Sequence, residues 1–332
     1  MTGCACTAVC HGGGMERSLP SGVRLVIRGG SPLEPDSWGF ADAGAGVPWS
    51  VDVPSQIASI SKQLVAVLTL LLVDDGVLRL DTTVQALLPN AARSWQDVTL
   101  VQLLTHTSGM AHWGERAGFD PAAGFDPSER LAMLLEAPLT SPPGATWRYS
   151  SPGYIVLSAA LEAATERRYG DLAREGILEP LGLTGTTIGT PPSGPRAHGT
   201  RQGQPVASWD LSTMSGTGDI WSTARDVATF VAAVHDGSLL PAAAQRLLHD
   251  TSVALGRPTA PAAPVITTGY ALGHFVGAVS GHPARLHPGD NPGYQALAAW
   301  LPSTGTTIVV LSNDEADDVE SLLVQAISPD NP

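Results

Sequence analysis

Segments with the pattern of β-strands lie at both ends of this chain, and helical segments lie between them. Near the start, residues 22–30 and 37–44 have this strand-like pattern. Near the end, the same character returns in residues 268–277, 284–289, 294–302 and 306–313, followed by an apolar-periodic helix over 319–327. The sequence therefore predicts an α/β chain of the α+β type, in which one antiparallel sheet is built from both chain ends and flanked by helices.

The middle of the chain alternates helical patterns with loops rich in proline and glycine. Helices are predicted over residues 98–104, 127–136, 152–165, 169–177, 224–235 and 242–249. We therefore expect a disordered tail over 1–20 and a single domain over 21–332. Within that domain, a sheet subdomain (21–80 plus 265–332) would hold an inserted helical subdomain (81–264), with a site in the crevice between them.

Composition and charge exclude several functional classes. Of the 332 residues, 43% are hydrophobic and 15% are charged, which is typical of a folded globular protein. The net charge of −13 argues against nucleic acid or an anionic membrane as the main partner. The longest uncharged run, residues 63–73, is shorter than the ~20 residues of a membrane span, so it predicts a buried helix.

The first twenty residues hold all three cysteines of the chain. They lack the basic and apolar regions of a secretion signal, so we expect a cytoplasmic protein. Cys4, Cys6 and Cys10 lie beside His11, which raises the possibility of a zinc site. The spacing lacks the paired C-x2-C of structural zinc sites, so a disordered tail is the preferred interpretation and no metal or cofactor is predicted.

Ser59 and Lys62 lie just ahead of the uncharged run. On a helix, a spacing of three places the two side chains on one face with their Cβ atoms ~5–6 Å apart, so the amine can reach the hydroxyl. A lysine next to an apolar run has a lowered pKa and can activate a serine nucleophile. The alternative is a capping serine followed by a solvated lysine, and S-x-x-K alone does not decide between them.

Seven sequence blocks, found in order along the chain, favour a catalytic function for Ser59 and Lys62. They are "ASISKQ", "LLTHTSGM", "YSSPGYIVLSAALEAAT", "ILEPLGLTGTT", "GDIWSTARDVATFV", "HPGDNPGYQA" and "VVLSN". Together, over residues 22–327, they resemble the serine β-lactamase and penicillin-binding-protein family, in the branch with class C β-lactamases, DD-peptidases and related esterases. The resemblance implies a β-lactamase/transpeptidase-like fold and an acyl-enzyme intermediate.

The family's nucleophile and its lysine correspond to Ser59 and Lys62. The second motif, usually Tyr-x-Asn, falls on Tyr149-Ser150-Ser151, so Ser151 replaces the asparagine at a substrate-binding position. We expect Lys62 to favour the phenolate of Tyr149, and either group to accept the proton of Ser59.

The third family motif matches His287-Pro288-Gly289. The resemblance places His287 among the catalytic residues, where it would orient substrate; the alternative is that it only satisfies a hydrogen bond. It gives Gly289 a close backbone approach to a bound carbonyl. It also implies an oxyanion hole made by the backbone N–H groups of Ser59 and Asp290.

Two departures from the family pattern bear on the substrate. Pro288 lacks the hydroxyl that helps penicillin-recognising members to hold a carboxylate, and Asp290 adds a negative charge beside it. We therefore expect an intracellular esterase, amidase or transacylase that acts on a small-molecule ester or amide, with water, an amine or an alcohol as acyl acceptor. A β-lactamase or D-Ala-D-Ala peptidase is one alternative, and an inactive binding protein is another.

Other paired polar residues in the chain are predicted to be structural. His106 and His112 lack a third metal ligand at helical spacing, Thr223 and Asp226 form a helix-capping pattern, and Glu162 and Glu166 fit the solvated face of a helix.

Overall fold

The computed structural model describes residues 21–33, 35–115, 120–256 and 263–327. Its strands are β1 (Gly22–Arg28), β2 (Ser31–Pro32), β3 (Asp36–Trp38), β4 (Phe40–Asp42), β5 (Val47–Pro48), β6 (Ser55–Gln56), β7 (Thr187–Ile188), β8 (Thr200–Arg201), β9 (Gln204–Pro205), β10 (Ile220–Ser222), β11 (Ser252–Ala254), β12 (Val265–Ala271), β13 (Phe275–Val279), β14 (His282–Asn291), β15 (Tyr294–Leu301) and β16 (Thr306–Ser312).

The α-helices of the described ranges are α1 (Ser61–Asp74), α2 (Val84–Leu87), α3 (Leu100–Leu104), α4 (Pro127–Glu136), α5 (Ser151–Thr165), α6 (Tyr169–Ala173), α7 (Glu179–Leu181), α8 (Ala224–Asp236), α9 (Ala242–Asp250) and α10 (Val319–Gln325). A π-helical turn, Arg174–Leu178, joins α6 to α7, and short 3-10 turns lie at Ala58–Ile60, Arg93–Trp95 and Leu211–Thr213. None of the helices in these ranges is long and apolar enough to cross a membrane.

The main sheet joins the two ends of the chain. Its order is β11-β12-β13-β14-β15-β16-β1-β2, with β3 also paired to β1. The first long strand pairs antiparallel with the last, from Gly22 opposite Ser312 to Arg28 opposite Thr306. This arrangement confirms the sheet predicted from both chain ends. The division into two subdomains remains a prediction.

Both faces of this sheet are covered, so its central strands have few polar residues. Alternate side chains of β16 enter two separate apolar clusters, with Val309 in the cluster that contains α1 and α8 and Val310 in the cluster that contains α10. The first ten residues of α1 are buried and include residues 63–70 of the uncharged run, whose last three residues are partly exposed. The prediction of a buried helix is therefore confirmed.

One predicted strand is a hairpin instead. Residues 268–277 were expected to form a single strand, but β12 ends at Ala271 and β13 begins at Phe275. The turn depends on Gly273, whose φ is 86° and whose position would bring a Cβ within 2.6 Å of Ala66 in α1. Periodicity alone missed the turn because it contains no proline or Asn-Gly signal.

Most of the other predicted boundaries hold within a few residues. Helix α4 has the predicted bounds, whereas α5 begins one residue early, at Ser151. Thr223 caps α8 by accepting a hydrogen bond from the backbone N–H of Asp226, which confirms the predicted cap. The predicted tail, with its cysteines and His11, lies outside the described residues.

Candidate active site

The serine of the S-x-x-K motif lies in a 3-10 turn and not in the first turn of α1. The turn is Ala58–Ile60 and α1 begins at Ser61, so the expectation that Ser59 and Lys62 lie on one helix is corrected. Ala58 has φ of 47°, an uncommon value for a non-glycine residue, and this sharp entry precedes the nucleophile position. The first backbone bond of the turn runs from Ile60 N–H to Ile57, which leaves the N–H of Ser59 unused inside the turn.

Lys62 lies against the Ser59 hydroxyl. The distance from Nζ to Oγ is 2.9 Å, and the same Nζ donates to the carbonyl oxygen of Thr217 at 2.8 Å. The lysine side chain is fully buried, and burial lowers its pKa well below the usual value, although Asp219 acts in the opposite direction. A neutral amine that donates to Thr217 keeps a lone pair that can accept the serine proton.

Tyr149 differs from the expectation in its charge state. Its hydroxyl is hydrogen-bonded to Ser59 and to Ser151, yet burial raises its pKa above the usual value. The phenolate was expected to be favoured by a cationic lysine, but burial disfavours the charged form of both groups. Lys62 lies 5.1 Å from the centre of the Tyr149 ring, so the two groups remain neighbours, with the tyrosine as a neutral donor.

Two histidines hold the tyrosine segment in place. His106 Nδ1 accepts a hydrogen bond from the Ser150 backbone N–H at 3.1 Å, and His112 Nδ1 accepts one from the Ser151 N–H at 3.2 Å. Burial and the nearby Lys62 lower the pKa of both imidazoles, which keeps them neutral acceptors. The structure therefore gives the "LLTHTSGMAH" segment a positioning function that sequence reasoning did not assign.

His287 lies behind the catalytic cavity rather than on its wall. The side chain is fully buried, its Nδ1 lies 2.6 Å from the Pro288 carbonyl oxygen, and its Nε2 lies 3.0 Å from the Tyr270 hydroxyl. A carbonyl can only accept, so Nδ1 carries the proton and the tyrosine donates to Nε2. Burial lowers the pKa of His287 to about 3, so the ring is neutral and fixes the backbone of the third motif.

Gly289 allows strand β14 to approach the nucleophile turn. A Cβ at this position would lie 2.3 Å from the Ile57 carbonyl oxygen and 3.2 Å from the Ala58 Cβ. The close approach predicted for this glycine is therefore made to the protein backbone next to Ser59. Any larger residue would separate the strand from the turn.

The same strand directs the backbone of Asp290 towards the cavity. Strands β14 and β15 are joined at Asn291 and Tyr294 by a two-residue turn, which makes that pair the hydrogen-bonded one. Hydrogen-bonded and non-hydrogen-bonded residue pairs alternate along two antiparallel strands. Pro288 and Asp290 therefore occupy non-hydrogen-bonded positions, and their backbone groups point away from β15. Pro288 therefore costs the sheet no hydrogen bond.

Asp219 is a buried acid that no sequence motif indicated. Its side chain is 1% exposed and interacts with the backbone N–H groups of Gly216 and of Asp219 itself and with Lys62, while its Oδ1 has no hydrogen-bond partner within the described residues. Burial raises its pKa to about 7. Thr217, the carbonyl partner of Lys62, lies two residues before Asp219. Only the three-dimensional proximity of residues 62 and 219 reveals the interaction between them.

These elements surround a cavity of about 780 Å³. Its walls include the nucleophile and most of the predicted substrate-binding positions, together with several aromatic side chains: Ser59, His112, Trp113, Tyr149, Ser151, Trp209, Phe275, Pro288 and Asp290. Glu315 and Arg201 also line it and pair with each other. Within the described residues, the Asp290 side chain accepts one side-chain hydrogen bond, from the Gln295 amide at 3.1 Å. The described ranges contain no group of three or more His, Cys, Asp or Glu side chains that could hold a metal ion.

Comparisons with known proteins identify the family of the chain. A family model described as Beta-lactamase matches residues 9–326. Esterase EstB from Burkholderia gladioli is 36% identical over 185 residues, which are 51% of this chain and only 47% of that protein. Penicillin-binding protein 4 from Amycolatopsis lactamdurans is 29% identical over 320 residues, 90% of this chain and 82% of that protein.

Solved structures show the same fold. A D-stereospecific amidohydrolase from Streptomyces sp. superposes with a TM-score of 0.78 at 24% identity, over 95% of this chain and 96% of that one. The fold, and a serine hydroxyl that contacts a buried amine in the wall of a cavity, define a serine hydrolase of the acyl-transfer class. The chain belongs to the Beta-lactamase family, which confirms the resemblance inferred from the seven blocks.

Proposed function

We propose that the protein transfers acyl groups through an ester formed on Ser59, with a small-molecule ester or amide as substrate. The observation that carries the proposal is the 2.9 Å contact between the Ser59 hydroxyl and a fully buried Lys62 amine. Burial lowers the pKa of that amine well below its usual value and so favours the neutral form, which is the form that can accept a proton.

The reaction follows from the positions of these groups. Ser59 Oγ attacks the carbonyl carbon while its proton moves to Lys62 Nζ, and the backbone N–H groups of Ser59 and Asp290 hold the developing oxyanion. The bond to the leaving oxygen or nitrogen then breaks, and this atom receives the proton by way of Lys62 and Tyr149. Water, an amine or an alcohol attacks the acyl-enzyme in the second half and releases Ser59.

His287, Gly289 and Ser151 have supporting functions in this proposal. His287 fixes the strand that carries the oxyanion donor, Gly289 keeps that strand close to Ser59, and Ser151 orients the Tyr149 hydroxyl. Ser151 also lines the cavity and is therefore available to contact the substrate.

Asp290 selects against substrates with a carboxylate near the reacting carbonyl. Its charge lies on the cavity wall, whereas Glu315 is paired with Arg201. A neutral ester or amide therefore fits better than a β-lactam or a D-Ala-terminated peptide. A cytoplasmic location is part of the proposal, because such substrates need not come from the cell wall, and cell fractionation tests it.

The substrate preference is testable by removing the Asp290 charge. We expect Asp290→Asn to raise kcat/KM about three- to tenfold for chromogenic esters with a carboxylate next to the reacting carbonyl, and to leave neutral esters nearly unchanged. Asp74→Asn is the matched control, since it removes one surface carboxylate at the far end of α1, about 20 Å from Ser59 and beyond the Debye length. An equal effect of both variants, or none, would refute the assignment.

The β-lactamase alternative is favoured by the similarity to penicillin-binding protein 4. It predicts nitrocefin turnover or stable labelling by a fluorescent penicillin at rates comparable with those for esters. An inactive binding protein would show no acylation of Ser59 by any ester, thioester, amide or β-lactam.

A further inference from the structure

A second cavity, of about 380 Å³, shares a lining residue, Trp209, with the catalytic cavity. No motif of the sequence pointed to this second cavity, and the proposed reaction does not use it. Its walls include two further aromatic side chains, Trp221 and Tyr294, whose rings meet edge to face at 5.8 Å. Three aromatic side chains around a small volume suit a flat apolar ligand.

The same cavity contains a cation with no anionic partner. Arg196 lines it and is half-buried, and within the described residues no carboxylate forms an ion pair with its guanidinium. Its one recorded hydrogen bond is a long one, 3.5 Å from Nη1 to the Gly194 carbonyl oxygen. The carboxylate of Asp210 also lines the cavity but forms no ion pair with Arg196 among the described residues, and its Oδ1 accepts hydrogen bonds from the N–H and hydroxyl groups of Ser212.

A buried amide supplies a second unused donor. Gln56 lines the cavity and is 1% exposed, and its Oε1 accepts from Asn291 Nδ2 at 2.8 Å. That contact fixes the orientation of the amide, because Asn291 Nδ2 donates a further bond to the Gly218 carbonyl oxygen. Gln56 Nε2 has no partner within the described part of the chain. A buried donor without a partner is costly, and a bound acceptor would remove that cost.

We propose that this second cavity binds a small carboxylate with a flat apolar body, such as an aryl carboxylate. The carboxylate faces Arg196 and the Gln56 amide, and the apolar part packs against the aromatic walls. A bound ligand would lie next to Gln56, which accepts a hydrogen bond from Asn291, and Asn291 also lines the catalytic cavity.

Isothermal titration of the whole protein with 2-naphthoate tests the site. We expect saturable binding to the wild type and a loss of affinity of about tenfold or more in Arg196→Gln. Arg93→Gln, which removes an exposed arginine elsewhere, should bind as the wild type does. Equal affinity of the wild type and Arg196→Gln, or no binding to the wild type, would overturn the proposal, as would equal binding of the neutral 2-naphthamide.

A second variant tests the site independently, in case Arg196→Gln loses affinity because it misfolds. Gln56→Glu keeps an oxygen for Asn291 but replaces the N–H donor with a negative charge, so it should also lose affinity while its thermal unfolding stays cooperative. Unchanged binding by a folded Gln56→Glu protein would contradict the assignment of this amide.

The carboxylate could belong to a separate molecule or to the distant end of a substrate that passes Trp209. Titration of protein whose Ser59 carries a small phosphonate separates these sources. Binding that survives the modification assigns the cavity to a separate ligand. Binding that is lost after modification, but still depends on Arg196, assigns it to the substrate.

Discussion

At the residue scale, burial decides which group acts as the base. Lys62 and Tyr149 both contact Ser59, and a low-dielectric surrounding favours the neutral form of each. A neutral lysine is a base, whereas a neutral tyrosine is an acid, so the same physical cause gives them complementary tasks. The sequence identified both residues but assigned the wrong charge state to the tyrosine, because the extent of burial is a property of the folded chain.

Asp219 should set the pH at which Lys62 becomes a base. Its negative charge raises the pKa of Lys62, against the larger effect of burial. Asp219→Asn removes the charge and keeps an oxygen for the Gly216 N–H, so the pKa of Lys62 should fall further. We therefore expect the acidic limb of the kcat/KM profile for a neutral ester to move to lower pH.

The direction of that shift separates an electrostatic role from a structural one. Loss of the Gly216–Thr217 turn alone would lower kcat/KM at every pH and leave the limb in place. Asp97→Asn, an exposed carboxylate outside the catalytic cavity, is the control and should leave the profile unchanged. A shift to higher pH in Asp219→Asn would contradict the assigned interaction.

At the scale of elements, the site depends on the close approach of a turn and a strand. The Ala58–Ile60 turn and β14 lie far apart in sequence, and Gly289 permits their contact. The sequence predicted a strand over residues 284–289, in the region of β14, and marked this glycine through the family motif. It did not predict the 3-10 turn or the β12–β13 hairpin, because both are specified by contacts with other elements rather than by local propensity.

The β12–β13 hairpin contains a buried histidine with consequences for acid stability. His274 is 2% exposed, and burial lowers its pKa to about 3, against 6.5 for the free side chain. Below pH 6.5 the unfolded chain binds a proton that the folded chain does not, so the free energy of unfolding falls as the pH drops from about 6.5 to about 3. The slope from one such group approaches about 1.4 kcal/mol per pH unit.

Replacing this histidine should flatten that dependence. We expect His274→Gln to reduce the slope of unfolding free energy against pH, measured by urea denaturation between pH 6 and pH 4.5, by about 1 kcal/mol per unit. The exposed His282 is the control position, and His282→Gln should leave the slope close to that of the wild type. An unchanged slope in His274→Gln would mean that the folded state protonates this ring.

At the scale of the whole molecule, the two ends of the chain close one sheet, and the catalytic groups lie beside it. The sheet built from both chain ends and the S-x-x-K, Tyr149 and third-motif positions were predictable because periodicity and family motifs are local in sequence, whereas the strand order was not predicted. Asp219, the backbone contacts of His106 and the cavity around Trp209 were not, since each depends on residues brought together only by folding. The buried location of His287 was not predictable either, for the same reason.

The central claim is that Ser59 forms an acyl-enzyme, and mass spectrometry of the folded protein tests it most directly. The protein is incubated with a fluorophosphonate and, separately, with short-chain esters, and the modified peptide is sequenced. We expect one adduct, on Ser59, and a loss of ester turnover on the order of 10⁴-fold or more in a folded Ser59→Ala variant. An adduct on another residue, no adduct at all, or full turnover by Ser59→Ala would contradict the account.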